Sequence, residues 1–190
     1  MKQGASRHAL ADRKDDLYET PACAVRALLR VEPTLQWKQW IWEPCAGRGA
    51  IVRELRAFGH GVHAMDLVAH PGADPGILTP IDFLMEWAKP DCAASIVTNP
   101  PYKLADDFIR HGLGLGLPVI VLLRLMAIEG AGRSDLIDNH LRLPTMHREG
   151  WDGPRMSASG APFAWFVFEP GPRGNEPVEL RRMSWRETEK

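Results

Sequence analysis

Apolar residues in this chain fall into short continuous runs, separated by segments of helical period and by glycine- and proline-bearing connections. Trp40-Ile41-Trp42, Val62 to Met65, Ala94 to Thr98 and Leu117 to Leu123 read as short strands, the last with the pattern of a strand covered on both faces. Leu117-Pro118-Val119-Ile120-Val121-Leu122-Leu123 is the strongest of them, continuous and β-branched. Pro21 to Leu29 has helical spacing, with Val25, Leu28 and Leu29 on one face, Thr20 placed to cap and Pro21 in the first turn. Ala50 to Phe58 repeats that period and can end at Gly59 or Gly61. A third helix is expected from about Leu104 to His111, and Ser134 can cap a fourth through His140. A Gly/Pro-rich connection from Leu67 to Pro80 leads to the apolar Ile81-Asp82-Phe83-Leu84, after which Met85 to Ala88 is expected to begin a short helix. Leu143 to His147 and Phe163 to Phe168 read as two late strands with no obvious helix between them.

Strands and helices that alternate through the first two thirds predict an α/β architecture with a doubly wound, mostly parallel sheet, and the late pair predicts an antiparallel hairpin at its edge. Residues 1–16 are expected to form a loose polar arm, 17–169 a single domain and 170–190 a polar tail. Ligands of such sheets collect at the carboxyl ends of the strands. Glu43, Asp66, Asp82 and Asn99 stand at or near such ends.

Composition narrows the function classes. The chain has 190 residues, 45% of them apolar, enough for the core of one domain. Lys plus Arg (23) nearly cancels Asp plus Glu (24), which weighs against a tight, nonspecific nucleic-acid binder. The first residues carry no apolar signal core, and the most apolar stretch is broken by Pro118 and Arg124, so a soluble, cytoplasmic protein with no membrane span is expected. Cys23, Cys45 and Cys92 form no close pair, and His60 and His63 lack further ligands nearby, so neither a disulfide framework nor a metal site is expected.

Two turns carry candidate chemistry. Glu43-Pro44-Cys45-Ala46-Gly47-Arg48-Gly49 is a strand-to-helix glycine turn, which lets backbone approach a ligand and aims helix amides at it. Val52 stands where a dinucleotide fingerprint needs its third glycine, and no Lys-Ser/Thr follows, so a pyrophosphate ligand is disfavoured. Asp66 can accept two ribose hydroxyls or simply be a solvated strand-end carboxylate. Asp82-Phe83 suits an adenine amino group and its ring, and suits equally a capping Asp followed by a core Phe. The second turn, Asn99-Pro100-Pro101-Tyr102, stops its strand because prolines cannot donate ladder hydrogen bonds. It is either ordinary proline-capped turn or a stiff acceptor site, in which the Asn99 carboxamide and a main-chain carbonyl hold an amino nitrogen beside the Tyr102 ring.

Taken in order, Tyr18-Glu19-Thr20-Pro21, the glycine turn, Asp66, Asp82-Phe83 and Asn99-Pro100-Pro101-Tyr102 resemble the class I S-adenosylmethionine-dependent methyltransferases, in particular small phage-type DNA N6-adenine methyltransferases of the Asn-Pro-Pro-Tyr kind. Leu123-Arg124-Leu125, Glu129-Gly130 and Ala164-Trp165-Phe166-Val167 extend the resemblance over about residues 17–169. It implies a Rossmann-like, seven-stranded sheet and an S-adenosyl-L-methionine pocket built from Thr20, Pro21, Glu43, Pro44, Cys45, Gly47, Gly49, Asp66, Asp82, Phe83 and Asn99. It also implies that Asn99, Pro100, Pro101 and Tyr102 present the target amine, with Tyr102 stacked on a flipped base. DNA is the expected partner. Only about residues 125–162 remain for target recognition, so a short site or an accessory specificity partner is expected. Trp151 to Gly160 is a candidate substrate-facing loop, with Arg155 near phosphate and Trp151 or Phe163 as a second stacking ring, or else an ordinary Gly/Ser loop. The same turn occurs in enzymes that methylate adenine in RNA or a glutamine amide in protein, and a non-catalytic cofactor-binding module is a third reading.

Overall fold

Continuous apolar runs require cover on both sides, and the sheet obtains it by sending consecutive residues to opposite layers. The computed structural model describes residues 19–146 and 162–171, with the backbone alone at 131, 143–146 and 181–182. In chain order the elements are α1 (Ala22–Val31), β1 (Trp40–Glu43), α2 (Ala50–Phe58), β2 (Gly61–Met65), β3 (Ile77–Leu78), β4 (Ala93–Thr98), α3 (Ala105–Gly114), β5 (Val119–Arg124), α4 (Ser134–His140), β6 (Leu141–Met146), β7 (Phe163–Phe168) and β8 (Arg181–Arg182). The sheet order is β3-β2-β1-β4-β5-β7-β6-β8. Every pairing is parallel except those of β7 with β5 and with β6. The expected α/β sheet is therefore present, with a two-residue eighth strand in the stretch read as a polar tail.

One layer packs Ile41, Val97, Ile120 and Trp165 against α1 and α2 through Val25, Leu28, Val52 and Leu55. The other packs Trp42, Ile96, Val121 and Phe166 against Phe108 and Ile109 of α3. The Trp165 indole also donates to Ala24 O at 3.1 Å, tying β7 to α1. A second tie joins the C-terminal end of α1 to the late strands. Buried Glu32 accepts from the Thr34 hydroxyl (2.7 Å) and from Arg142 (2.7 Å), and Arg142 reaches Glu169 at 2.6 Å.

Three local expectations are corrected. β3 lies at Ile77–Leu78, inside the stretch read as connection. A two-residue strand is too short to show a period, and the chain there wraps a main-chain bracket around Asp66, whose N–H donates to Leu78 O while its carbonyl accepts from Ile81 N. No helix follows Met85. Asp82 instead caps a single 3-10 turn, Phe83–Met85, because Pro90 comes too soon for a helix to propagate. Thr20 does not cap α1. Pro21 holds the cap position with no side-chain bond, and the Thr20 hydroxyl turns elsewhere.

Candidate functional site

The glycine turn is gripped from below by two acidic side chains at the ends of adjacent strands. Glu43, last residue of β1, accepts from Cys45 N at 3.1 Å, and Asp66, just past β2, accepts from Gly47 N at 2.8 Å. Ala46 N adds a bond to Met65 O at 3.0 Å. Gly47 and Gly49 have φ of 56° and 88°, and a Cβ on Gly49 would stand 3.0 Å from Asp74 Cβ. Left-handed φ favours glycine at both positions, and at Gly49 a Cβ would also crowd Asp74. The turn delivers the N-terminus of α2, with its unpaired amides, to the carboxyl edge of the sheet.

Glu43 is fully buried, and burial pushes its carboxyl up to about 8, with the negative charge of Asp66 adding in the same sense. The Thr98 side chain and the Cys45 amide pull in the other direction. At neutral pH Glu43 therefore holds its proton and braces the turn as a neutral acid. Asp66, 4% exposed, takes Gly47 N on one oxygen and Val68 N on the other at 2.8 Å, and His70 Nε2 stands 3.6 Å away. Each Asp66 oxygen keeps a second lone pair toward a ligand.

Above these groups lies a cleft, partly open to solvent. Thr20, Pro44, Cys45, Gly47, Asp66 and Asp82 line it, together with Phe83, Asn99 and Pro101. Asp82 gives one oxygen to Leu84 N at 3.2 Å. The Phe83 ring is mostly core, edge-on to Trp42 at 5.1 Å and to His111 at 4.8 Å. On the opposite wall, Asn99 Nδ2 donates to Thr20 Oγ1 at 3.1 Å, across 79 residues of sequence. That bond fixes the rotation of the carboxamide and makes Oδ1 its acceptor end.

Among the described residues, six of the expected site residues stand apart from the cleft wall: Pro21, Glu43, Gly49, Pro100, Tyr102 and Phe163. Glu43 is beneath it, Gly49 shapes the turn, Pro21 starts α1 and Pro100 is buried behind Asn99. Tyr102 is half-buried at the start of a 3-10 turn, Tyr102–Leu104, with the Arg124 guanidinium 5.4 Å from its ring centre. Phe163 is 6% exposed and touches Tyr102 at 6.4 Å between ring centres, so it is packed core beside that ring and not an open stacking face. Trp151 and Arg155 lie outside the described residues. Sequence reasoning missed Arg48 and His70 on the cleft wall and Arg124 over Tyr102. His70 carried a faint signal, four residues after Asp66 in a polar connection.

Among the described residues no group of three or more His, Cys, Asp or Glu gathers to hold a metal, and no helix is long and apolar enough to cross a membrane. His60 is buried against Phe58 and His63 stands edge-on to Trp42.

No protein-family model matches the chain, and no curated protein matches it. Solved structures do. A Listeria monocytogenes protein assigned to the class I S-adenosylmethionine-dependent methyltransferases matches with a TM-score of 0.56 and 14% identity, over 87% of this chain and 64% of the other. The methyltransferase subunit of a type I restriction-modification system from Streptococcus thermophilus matches with 0.56 and 12%, over 86% and 46%. The Burkholderia thailandensis 1,6-didemethyltoxoflavin-N1-methyltransferase, solved with S-adenosylhomocysteine, matches with 0.54 and 13%, over 83% and 80%. This chain spans less than two thirds of the length of the first two. With the sheet order, the glycine turn and the cleft at its carboxyl edge, these likenesses make the fold of this chain that of the class I S-adenosylmethionine-dependent methyltransferases.

Proposed function

We propose that the protein transfers a methyl group from S-adenosylmethionine to an exocyclic amino nitrogen, N6 of adenine in DNA. The observation that carries this reading is the Asn99 carboxamide, locked by Thr20 on the wall of the same cleft that holds the glycine turn and Asp66. The donor set fits the cofactor: the positive-φ glycines keep the turn free of side chains, Asp66 retains lone pairs for ribose hydroxyls, and Asp82 offers a carboxylate for the adenine amino group. When bound, S-adenosylmethionine supplies an electrophilic methyl on a sulfonium.

Asn99 Oδ1 and a carbonyl of the following proline turn accept the hydrogens of the target amine, which directs its lone pair away from the ring it conjugates with. Tyr102 gives that ring a flat neighbour. Rate comes from alignment of the amine and from the acceptors' charge, since an amine can lose its proton after the methyl has been transferred. The Streptococcus restriction-modification neighbour supports DNA as the polymer.

Labelled S-adenosylmethionine incubated with DNA, RNA or protein extract tests the proposal. Label is expected in DNA as N6-methyladenine with wild type and is expected to fall by at least about a hundredfold with Asn99→Ala, as when a transition-state hydrogen-bonding group is removed. Label in RNA or protein alone would overturn the DNA assignment. Tight cofactor binding with no transfer to any pool would overturn the enzyme assignment.

A further inference from the structure

Among the described residues five arginines are neutralised by a carboxylate at short range. Arg26 pairs with Glu54, Arg56 with Asp74, Arg133 with Asp106 and Arg142 with Glu32, all at 2.7–3.0 Å, and Arg110 pairs with Asp135. Arg124 departs from this pattern. It is the exposed last residue of β5, at the edge of the sheet where β4 delivers Asn99, and among the described residues no carboxylate pairs with it. Its recorded partner is the Tyr102 ring, with the guanidinium carbon 5.4 Å from the ring centre, inside cation–π range. Phe163 is the cross-strand neighbour of Arg124 and also touches Tyr102.

A guanidinium is planar and delocalised, and it covers an aromatic ring much as a nucleobase does. The rings of Tyr102 and Phe163 stand 6.4 Å apart between centres and are tilted by 34°. Phe163 is core and cannot leave, whereas Arg124 is exposed and can. A base that stacks on the part of Tyr102 that Arg124 covers takes the place that Arg124 holds. A base turned into the cleft carries its sugar and flanking phosphates with it, which sets a negative charge close to the displaced guanidinium.

We propose that Arg124 is a substrate-positioning residue for DNA, which occupies the Tyr102 face until the target base arrives and then binds the phosphate flanking the flipped nucleotide. This rests on the reading of the protein as a DNA methyltransferase and adds the residue that anchors the substrate backbone. A phosphate contact is made equally in the bound substrate and in the transition state, so its loss acts on KM and spares kcat.

Steady-state methyl transfer to DNA, DNA affinity across a salt series and cofactor affinity by calorimetry, measured on wild type, Arg124→Ala and Arg124→Lys, test this. Arg124→Ala is expected to raise KM for DNA by about tenfold or more, the effect of one lost charge-assisted hydrogen bond, with kcat and cofactor affinity near wild type. The slope of log affinity against log salt is expected to shrink by about one. Arg124→Lys keeps the charge and is expected to restore the slope and most of KM. An Arg124→Ala variant with unchanged KM and slope, beside a wild type that methylates DNA, overturns the inference alone. Loss of cofactor binding in that variant marks a structural role and overturns it as well. A wild type that transfers nothing to DNA overturns both the functional reading and this inference.

Discussion

Replacing Thr20 with valine removes a single hydroxyl while keeping shape and branching. Thr20 is 5% exposed, and its Oγ1 accepts from Asn99 Nδ2 at 3.1 Å. The lost bond is neutral, and a bond of that kind contributes about 1 kcal/mol net. If that energy goes into holding the carboxamide at the angle the amine requires, Thr20→Val slows methyl transfer by about fivefold at saturating cofactor and DNA. Single-turnover transfer of labelled methyl reads the chemical step directly. The partner variant Asn99→Ala supplies the control, because with the carboxamide gone the hydroxyl has nothing to orient. Thr20→Val should then slow Asn99→Ala no further, giving a coupling of about 1 kcal/mol in the double-mutant cycle. A rate for Thr20→Val within twofold of wild type, or equal fivefold losses in both backgrounds, would refute the assignment of Thr20 as the group that aims Asn99.

Two other outcomes follow from the carboxylates under the glycine turn. The Glu43 carboxyl is raised from 4.5 to about 8 by burial, so the folded state holds a proton that the unfolded state releases between those values. That contribution to stability is full below about pH 4.5 and lost as pH rises through about 8; melting temperature followed from pH 5 to 9 should fall in wild type and stay flatter in Glu43→Gln, and identical profiles would contradict a buried neutral acid. Asp66→Ala strips Gly47 N and Val68 N of their acceptor, which costs about 1–3 kcal/mol for each amide left unsatisfied, and calorimetry should show cofactor affinity at least about tenfold weaker. Unchanged affinity in a folded Asp66→Ala protein removes that residue from the cofactor site.

What the sequence revealed and what it hid divide along the range of the interactions. Runs such as Val119 to Leu123 announce two-faced burial residue by residue, so β1, β2, β4, β5 and the helices between them are legible within a few positions. The glycine turn is equally local, since positive φ at Gly47 and Gly49 is a property of those residues. β3 escaped because two residues carry no period. Thr20 was placed by a local capping rule, yet its hydroxyl serves a side chain 79 positions on. Arg124 over Tyr102 is likewise made by separate chain segments meeting in space, and no spacing in the chain encodes it. Phe163 shows the converse. An aromatic at a strand start looked open to a base, and the tertiary fold spends it as packing.

The order of the last strands has a consequence for how the chain assembles. β7 lies between β5 and β6 although it follows both in sequence. Until Phe163 to Phe168 is available, the most apolar strand of the protein presents a bare edge and β6 has no neighbour through which to join the sheet. On the ribosome, β1, β2, β4 and β5 are able to pair before that moment, so the turn that would take the cofactor precedes the completed substrate face. Arg124 and Phe163 acquire their common register only when β7 is inserted. The face proposed to meet DNA is thus completed late, and a nascent chain stalled before residue 163 exposes the bare apolar edge of β5.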